Sequence, residues 1–356
     1  MLFRSVPCPI AAWNITERRL GVPMPLPGPA GLATIWREVK ACDVVHLHDS
    51  LYLTNVAAML AARRYGKPVV LTQHIAAVPY SSALLKGVMR AANALIARPM
   101  LKTADQVVFI SKSVLGHFAE VPYKAQPRLI FNGVDTEVFH LPLPGFNRNA
   151  ARAAFGLPAE ARVVLFVGRF VEKKGLHLIE RLARQRSELV FALAGWGSID
   201  PRTWGLTNVH ILTGLEGASL VPLYQASDVF ALPSIGEGLP LVMQEALSCG
   251  LPVICGKETT TADPGAAELI QGVDVEGADP EVLATGISTC IDSVLAANSG
   301  TQGAAAAEAR HAYVSARYSW SEAAKAYLSI MTRLVEPQSA VTKGEVASLP
   351  QDAQCP

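Results

Sequence analysis

Short apolar, β-branched runs alternate along this chain with Ala- and Leu-rich amphipathic stretches. The first series of runs is Asp43-Val-Val-His-Leu-His48, Lys67-Pro-Val-Val-Leu-Thr-Gln-His74, Gln106-Val-Val-Phe-Ile-Ser111 and Arg128-Leu-Ile-Phe-Asn132. Amphipathic segments at 51–65 and 82–103 separate them. A βαβα order of this kind predicts a parallel sheet with helices on its faces.

The Pro- and Gly-rich stretch Leu141-Pro-Leu-Pro-Gly-Phe-Asn147 interrupts the pattern and reads as a linker. A second series follows it: Arg162–Val167, Leu189–Ala194, Val209–Leu212, Val229–Leu232 and Pro252–Cys255 as strands, with helices expected at 175–186, 219–226, 240–249 and 280–297. The expected fold class is therefore α/β, with two Rossmann-like domains over residues 1–145 and 151–316. Facing each other, they would leave a cleft between the carboxyl ends of both sheets. Residues 320–335 form a last helix with Ala323, Ala324, Tyr327, Leu328, Met331 and Leu334 on one face, which must pack on something. Residues 337–356 lack such a face and read as a disordered tail.

Composition sharpens this picture by exclusion. Half of the 356 residues are hydrophobic, enough for two cores. The net charge of +1 argues against nucleic acid as the main partner, so an anionic ligand must be met locally. Six cysteines without a Cys-x-x-Cys pair indicate neither a zinc site nor a disulfide scaffold, and point to a reducing cytosol. The opening residues Met1–Pro9 carry a charge and prolines where a signal peptide needs an apolar run. A cytoplasmic protein, soluble or peripheral to the inner face of a membrane, is expected.

Three constellations carry chemistry. Gly168-Arg169-Phe-Val-Glu-Lys-Lys174-Gly175 ends a strand in glycine and places separated cations around a turn, offering a forked donor and a point charge to a pyrophosphate; a solvated basic turn is the alternative. In Ser234-Ile-Gly-Glu237-Gly238-Leu239-Pro240-Leu241-Val-Met-Gln-Glu245, Pro240 suits the first position of a helix. Free N–H groups near 238–241 then make an anion site. Glu237 beside it would face sugar hydroxyls, and Glu245 two turns on would face a diol; capping by Glu237 and a surface Glu245 are the alternatives. Finally His46, His48 and His74 fall near the ends of consecutive strands, with His46 and His48 on one sheet face. Polar lining is preferred to metal there, and His74 is the one expected to touch substrate.

With these residues in view, the chain resembles the family 4 glycosyltransferases, a retaining group with the GT-B fold of two facing Rossmann-like domains. The Glu-x7-Glu element matches Glu237 and Glu245, and the Gly-Arg…Lys-Gly element matches Gly168, Arg169, Lys174 and Gly175. Supporting matches are Asp43–His48, Thr72-Gln-His74, Asn132-Gly-Val-Asp135 and Tyr318-Ser-Trp320. The resemblance implies a nucleotide-diphosphate-sugar as co-substrate, a glycan or lipid-linked hydroxyl acceptor, and no metal or other cofactor. Arg169 and Lys174 would hold the diphosphate and Glu245 the ribose. Glu237 would contact the transferred sugar, amides at Gly238 to Leu241 the distal phosphate, and His74 the sugar and acceptor hydroxyl. His46 and His48 would line the acceptor side, and helix 320–335 would cross back onto the first domain.

Two departures stand out. Gly195-Trp196-Gly197-Ser198 replaces the family's Gly-acid-Gly-Pro. Nothing before Val44 reads as the family's opening strand, Gly-Gly loop and helix, so an incomplete first domain with an exposed sheet edge is expected. A non-catalytic donor-binding relative and a sugar-nucleotide epimerase therefore stand beside the transferase as readings. Segment 82–103 carries Lys86, Arg90, Arg98 and Lys102, no acid and an apolar face, which suits an anionic membrane surface as well as ordinary packing.

Overall fold

The computed structural model describes residues 8–10, 12–13, 26–75 and 83–336, with the side chains of 83–86 left aside. The expected tail 337–356 and most of the first 25 residues lie outside that range. The described chain forms two parallel sheets. In the first, β3 (Val45–His48), β4 (Val69–Gln73), β5 (Gln106–Phe109) and β6 (Arg128–Leu129) lie in sequence order; a separate antiparallel pair joins β1 (Ala12–Trp13) to β2 (Leu26–Pro27). The second sheet has the order β12 (Ile270–Val273), β11 (Val253–Gly256), β10 (Val229–Leu232), β7 (Arg162–Val167), β8 (Leu189–Ala194) and β9 (Val209–Leu212), all parallel.

The central strands are apolar on consecutive residues because helices cover both faces. Val163 to Phe166 and Phe191 to Leu193 are buried throughout. Helix Leu176–Gln185 shows the complementary pattern, burying Leu176, Leu178, Ile179, Leu182 and Ala183 along one stripe. Strand order reverses at β7, which has β8 on one side and β10 on the other. The loops leaving β7 and β10 therefore border the crevice where open α/β sheets bind ligands.

Several expectations need correction. Helix Pro29–Ala41 precedes β3 and packs on helix Leu53–Tyr65, burying Ile35 and Val39. Its signals, Pro at the first turn and apolar residues at 32, 35, 36 and 39, were legible but unassigned. Among the described residues β3 is one of the two outer strands of the first sheet, with β6 at the other edge. Strand β12 and helix Gly300–Arg317 were also unassigned: one is apolar only at its ends, the other rich in Ala and polar residues.

The last helix, Trp320–Val335, does cross onto the first sheet, with most of the expected face: Ala323, Tyr327, Met331 and Leu334 pack there, while Ala324 and Leu328 do not. Ala323 and Ile330 are buried there against Val70, Val108 and Ile130, flanked by Ala326, Tyr327, Met331 and Leu334. Ala324 and Leu328 are exposed, because the 3–4 spacing from Ala323 runs through Ala326 and Ile330 instead.

Segment 82–103 is helical as Ala83–Ala92 and Arg98–Thr103, joined by one π-turn, Asn93–Ala97. Pro99 has no N–H to return to Leu95, which accounts for the widened turn. Among its described side chains, those from Ile96 to Leu101 reach the core; Val88 and Leu95 are exposed. Among the described residues no single helix is long and apolar enough to cross a membrane.

Candidate functional site

The β7 loop is shaped by glycines. Gly168 (φ 155°) follows the strand, and Gly175 (φ 75°) starts the next helix where an added Cβ would lie 2.0 Å from the Pro233 carbonyl oxygen. That contact lets the loop lie flat on the β10 loop, and the Ile235 N–H donates to Lys173 O at 3.0 Å. The two loops thus bring Lys173 and Lys174 to Glu237, whose Oε1 is 3.5 and 3.2 Å from their ammonium groups.

Glu237 does not cap the following helix, which has no side-chain cap. Pro240 is the residue before that helix, Leu241–Ser248, one position earlier in role than expected. Its ring nitrogen has no proton, so it drops out of the expected set of donor amides. Among the described residues, the N–H groups of Gly238, Leu239, Leu241 and Val242 make no backbone hydrogen bond. They open the helix whose positive end favours an anion.

Glu245 is half-buried rather than on the surface. Its Oε2 accepts from the buried Tyr224 hydroxyl at 2.8 Å, and burial pushes its carboxyl up, partly offset by that bond. Arg169 is exposed at the end of β7. Neither it, Lys174 nor Glu245 lines the interdomain cleft itself.

That cleft, about 680 Å³, is lined from the first domain by His74, Ile75, Ser113, Val114 and His117, and from the second by Lys173, Gly236, Glu237, Gly238, Glu258 and Thr261. Glu237 and His74 therefore share one space across two sheets. Ser113, His117, Glu258 and Thr261 were missed, because each sits in or beside a very short helix, His117 at the end of Lys112–His117, with no motif around it. Gly238 faces Ser111 across the gap, where a Cβ would come within 3.4 Å of its hydroxyl. The Lys112 N–H donates to Ala262 O at 2.8 Å, a direct backbone link between domains.

The histidines are brought together, but unequally. His74 lines the cleft; His48 Nδ1 bonds its Nε2 at 2.9 Å; His46 instead bonds the buried Thr72 hydroxyl at 2.8 Å and meets the Tyr327 ring at a tilt. Burial lowers all three, His46 to about 4. His46 is thus committed to the packing of the last helix rather than lining the cleft. Among the described residues no three His, Cys, Asp or Glu side chains are placed to hold a metal ion.

The supporting motifs also meet. Val134 bridges Ser319, with its N–H on Tyr318 O, and Gly133 lies where a Cβ would strike the Trp320 backbone at 2.7 Å. Trp196, in the departing loop, is exposed between Gly195 and Gly197, which pack on Gly168 and Phe170.

Two facing Rossmann-like domains, with the carboxyl ends of their sheets bordering one cleft, define the GT-B class of glycosyltransferase. The particular family follows from comparison. The model for "Glycosyltransferase Family 4" matches residues 12–138, and that for "Glycosyl transferases group 1" matches residues 161–293. The D-inositol 3-phosphate glycosyltransferase of Xylanimonas cellulosilytica is 30% identical over 330 residues, 84% of this chain and 73% of that protein. That of Mycolicibacterium smegmatis is 30% identical over 315 residues, 82% and 67%. This chain belongs to the family 4, group 1 glycosyltransferases. Among solved structures, HepE of Anabaena in complex with UDP superposes with a TM-score of 0.66 at 21% identity, covering 85% of this chain and 82% of that one. Sucrose-phosphate synthase of Thermosynechococcus elongatus gives 0.67 at 21%, with 87% and 80% covered.

Proposed function

We propose that the chain moves a sugar from a nucleotide-diphosphate-sugar to a hydroxyl acceptor with retention of configuration and without a metal ion. The observation that carries this reading is Glu237, held by two lysines at an uncapped helix start and facing His74 across the cleft. A carboxylate so placed suits sugar hydroxyls, while the amides of Gly238, Leu239 and Leu241 suit the distal phosphate. Arg169 and Lys174 hold the diphosphate and, with those amides, neutralise the leaving group. Glu245 keeps one oxygen on Tyr224 and turns the other to a ribose diol. His74 lies beside the donor sugar and the acceptor hydroxyl. The solved relative bound to UDP supports a uridine donor as the first to test. The relatives' printed name supports inositol 3-phosphate as the first acceptor.

Calorimetry with UDP-, GDP- and ADP-sugars tests the donor; no binding to any of them would end this reading. Glu237→Ala is expected to lower transfer by at least about a hundredfold while nucleotide binding stays within a few-fold. Loss of both would contradict the assigned roles. Donor isomerisation without acceptor would favour the epimerase, and binding without turnover the non-catalytic relative.

A peripheral membrane position is proposed for segment 83–103, supported by exposed Val88 and Leu95 seven residues apart beside exposed Arg90, Arg98 and Lys102.

A further inference from the structure

His74 is the last ring of a column that starts on the C-terminal helix. Tyr327 lies 4.9 Å from His46, His46 4.3 Å from His48, and His48 5.3 Å from His74, centroid to centroid. Hydrogen bonds accompany the stack. The buried Thr72 hydroxyl bonds the Tyr327 hydroxyl at 2.9 Å and His46 Nε2 at 2.8 Å, and His48 Nδ1 meets His74 Nε2 at 2.9 Å.

The backbone beneath is held as firmly. Asp49 is the one non-glycine with positive φ among the described residues, at 66°. Left-handed backbone is uncommon outside glycine, and a short polar side chain such as that of Asp tolerates it best when it is hydrogen-bonded locally. Here Asn55 Nδ2 donates to the carbonyls of His48 and Asp49, and Asp49 Oδ1 accepts the His74 N–H at 2.8 Å. The Ser50 N–H donates to Gln73 Oε1, closing a second brace between the same strand ends.

Two neutral imidazoles at hydrogen-bond distance need one N–H and one lone pair between them. The state of His48 Nδ1 therefore dictates the opposite state at His74 Nε2, and Nδ1 is the nitrogen left on His74 for a ligand. When His48 donates, His74 Nδ1 carries its proton; when His48 accepts, His74 Nδ1 is bare.

We propose that His48 is a positioning residue that fixes the tautomer and ring angle of His74, and that Tyr327, through Thr72 and His46, ties this setting to the docked C-terminal helix. The inference rests on the reading of His74 as the residue beside the reacting groups, yet its test needs no substrate. Long-range nitrogen–proton correlation spectra of the full chain with labelled histidines, at pH 7.5, resolve the two tautomers. The His74 signals are those lost in His74→Gln. One tautomer is expected in the wild-type chain, and a still hydrogen-bonded His74 Nε2 in His48→Asn, whose amide can donate or accept there. A mixture is expected in His48→Leu, and likewise in Tyr327→Leu.

Equal tautomers in the wild-type chain overturn the proposal whether or not the variants fold. An unchanged His74 spectrum in folded His48→Leu also overturns it, and an unchanged spectrum in Tyr327→Leu removes the link to the helix. In a transfer assay with UDP-glucose, His48→Leu lowers kcat about tenfold or more with KM for UDP-glucose held, and His48→Asn recovers most of it. Absence of transfer from every UDP-, GDP- and ADP-sugar, with the spectra as expected, would sink the transferase reading and leave this one standing.

Discussion

His46 shows how burial sets the charge state of a side chain and makes stability depend on pH. Burial lowers it from 6.5 to about 4, with His48 and His74 adding to the effect. Between those values the unfolded chain binds a proton that the folded chain refuses, so stability rises with pH across that window. The contribution is complete above about 6.5 and is lost as pH falls from there through about 4. At a half-buried position it amounts to about 2 kcal/mol. Urea midpoints at pH 7 and pH 5 are expected to differ in the wild-type chain and to lie closer together in His46→Gln, which keeps a polar group beside Thr72, the remaining gap coming from the other lowered histidines such as His48 and His74; an unchanged gap would place the acid sensitivity elsewhere.

At the scale of elements, the donor side rests on the contact between the β7 and β10 loops. Gly175→Ala forces a side chain into left-handed backbone and onto the Pro233 carbonyl. The variant is expected to fold with a melting temperature a few degrees lower and to lose at least about tenfold in UDP-sugar affinity, or about 1.4 kcal/mol; wild-type affinity by calorimetry would detach the loop contact from binding. The basic helical segment yields another outcome. In sedimentation with phosphatidylglycerol vesicles the chain is expected to pellet at low salt, with Leu95→Ser and Arg90→Glu together releasing it. Equal pelleting with uncharged phosphatidylcholine vesicles would remove the electrostatic part of that reading.

The molecule as a whole is closed by the crossing at Gly133 and Trp320. There the last helix leaves the second domain, whose Asp263 accepts from the Tyr313 and Tyr318 hydroxyls, to cover the first sheet. Gly133→Ala has no room, because the Trp320 backbone blocks its Cβ. Calorimetric unfolding of that variant is expected to split into two transitions, the first sheet melting earlier, whereas a single unshifted transition would show that the crossing does not couple the domains.

Much of this was legible beforehand, and the division has a physical basis. Apolar runs at strand length, separated by helical periodicity, determined the two sheets, since each run must be buried on both faces. The spacing of Glu237 and Glu245, and of Arg169 and Lys174, determined which loops carry charge. What neighbours those charges have was decided only by tertiary structure. Strand order places β7 beside β10, and so Lys173 and Lys174 on Glu237. Parallel register sets His48 beside His74, and a helix from the far end of the chain brings Tyr327 to His46. Pairings over separations such as that between Thr72 and Tyr327 leave no local periodicity to read, whereas helix Pro29–Ala41 carries its signals locally, in Pro29 and the spacing of Leu32, Ile35, Trp36 and Val39.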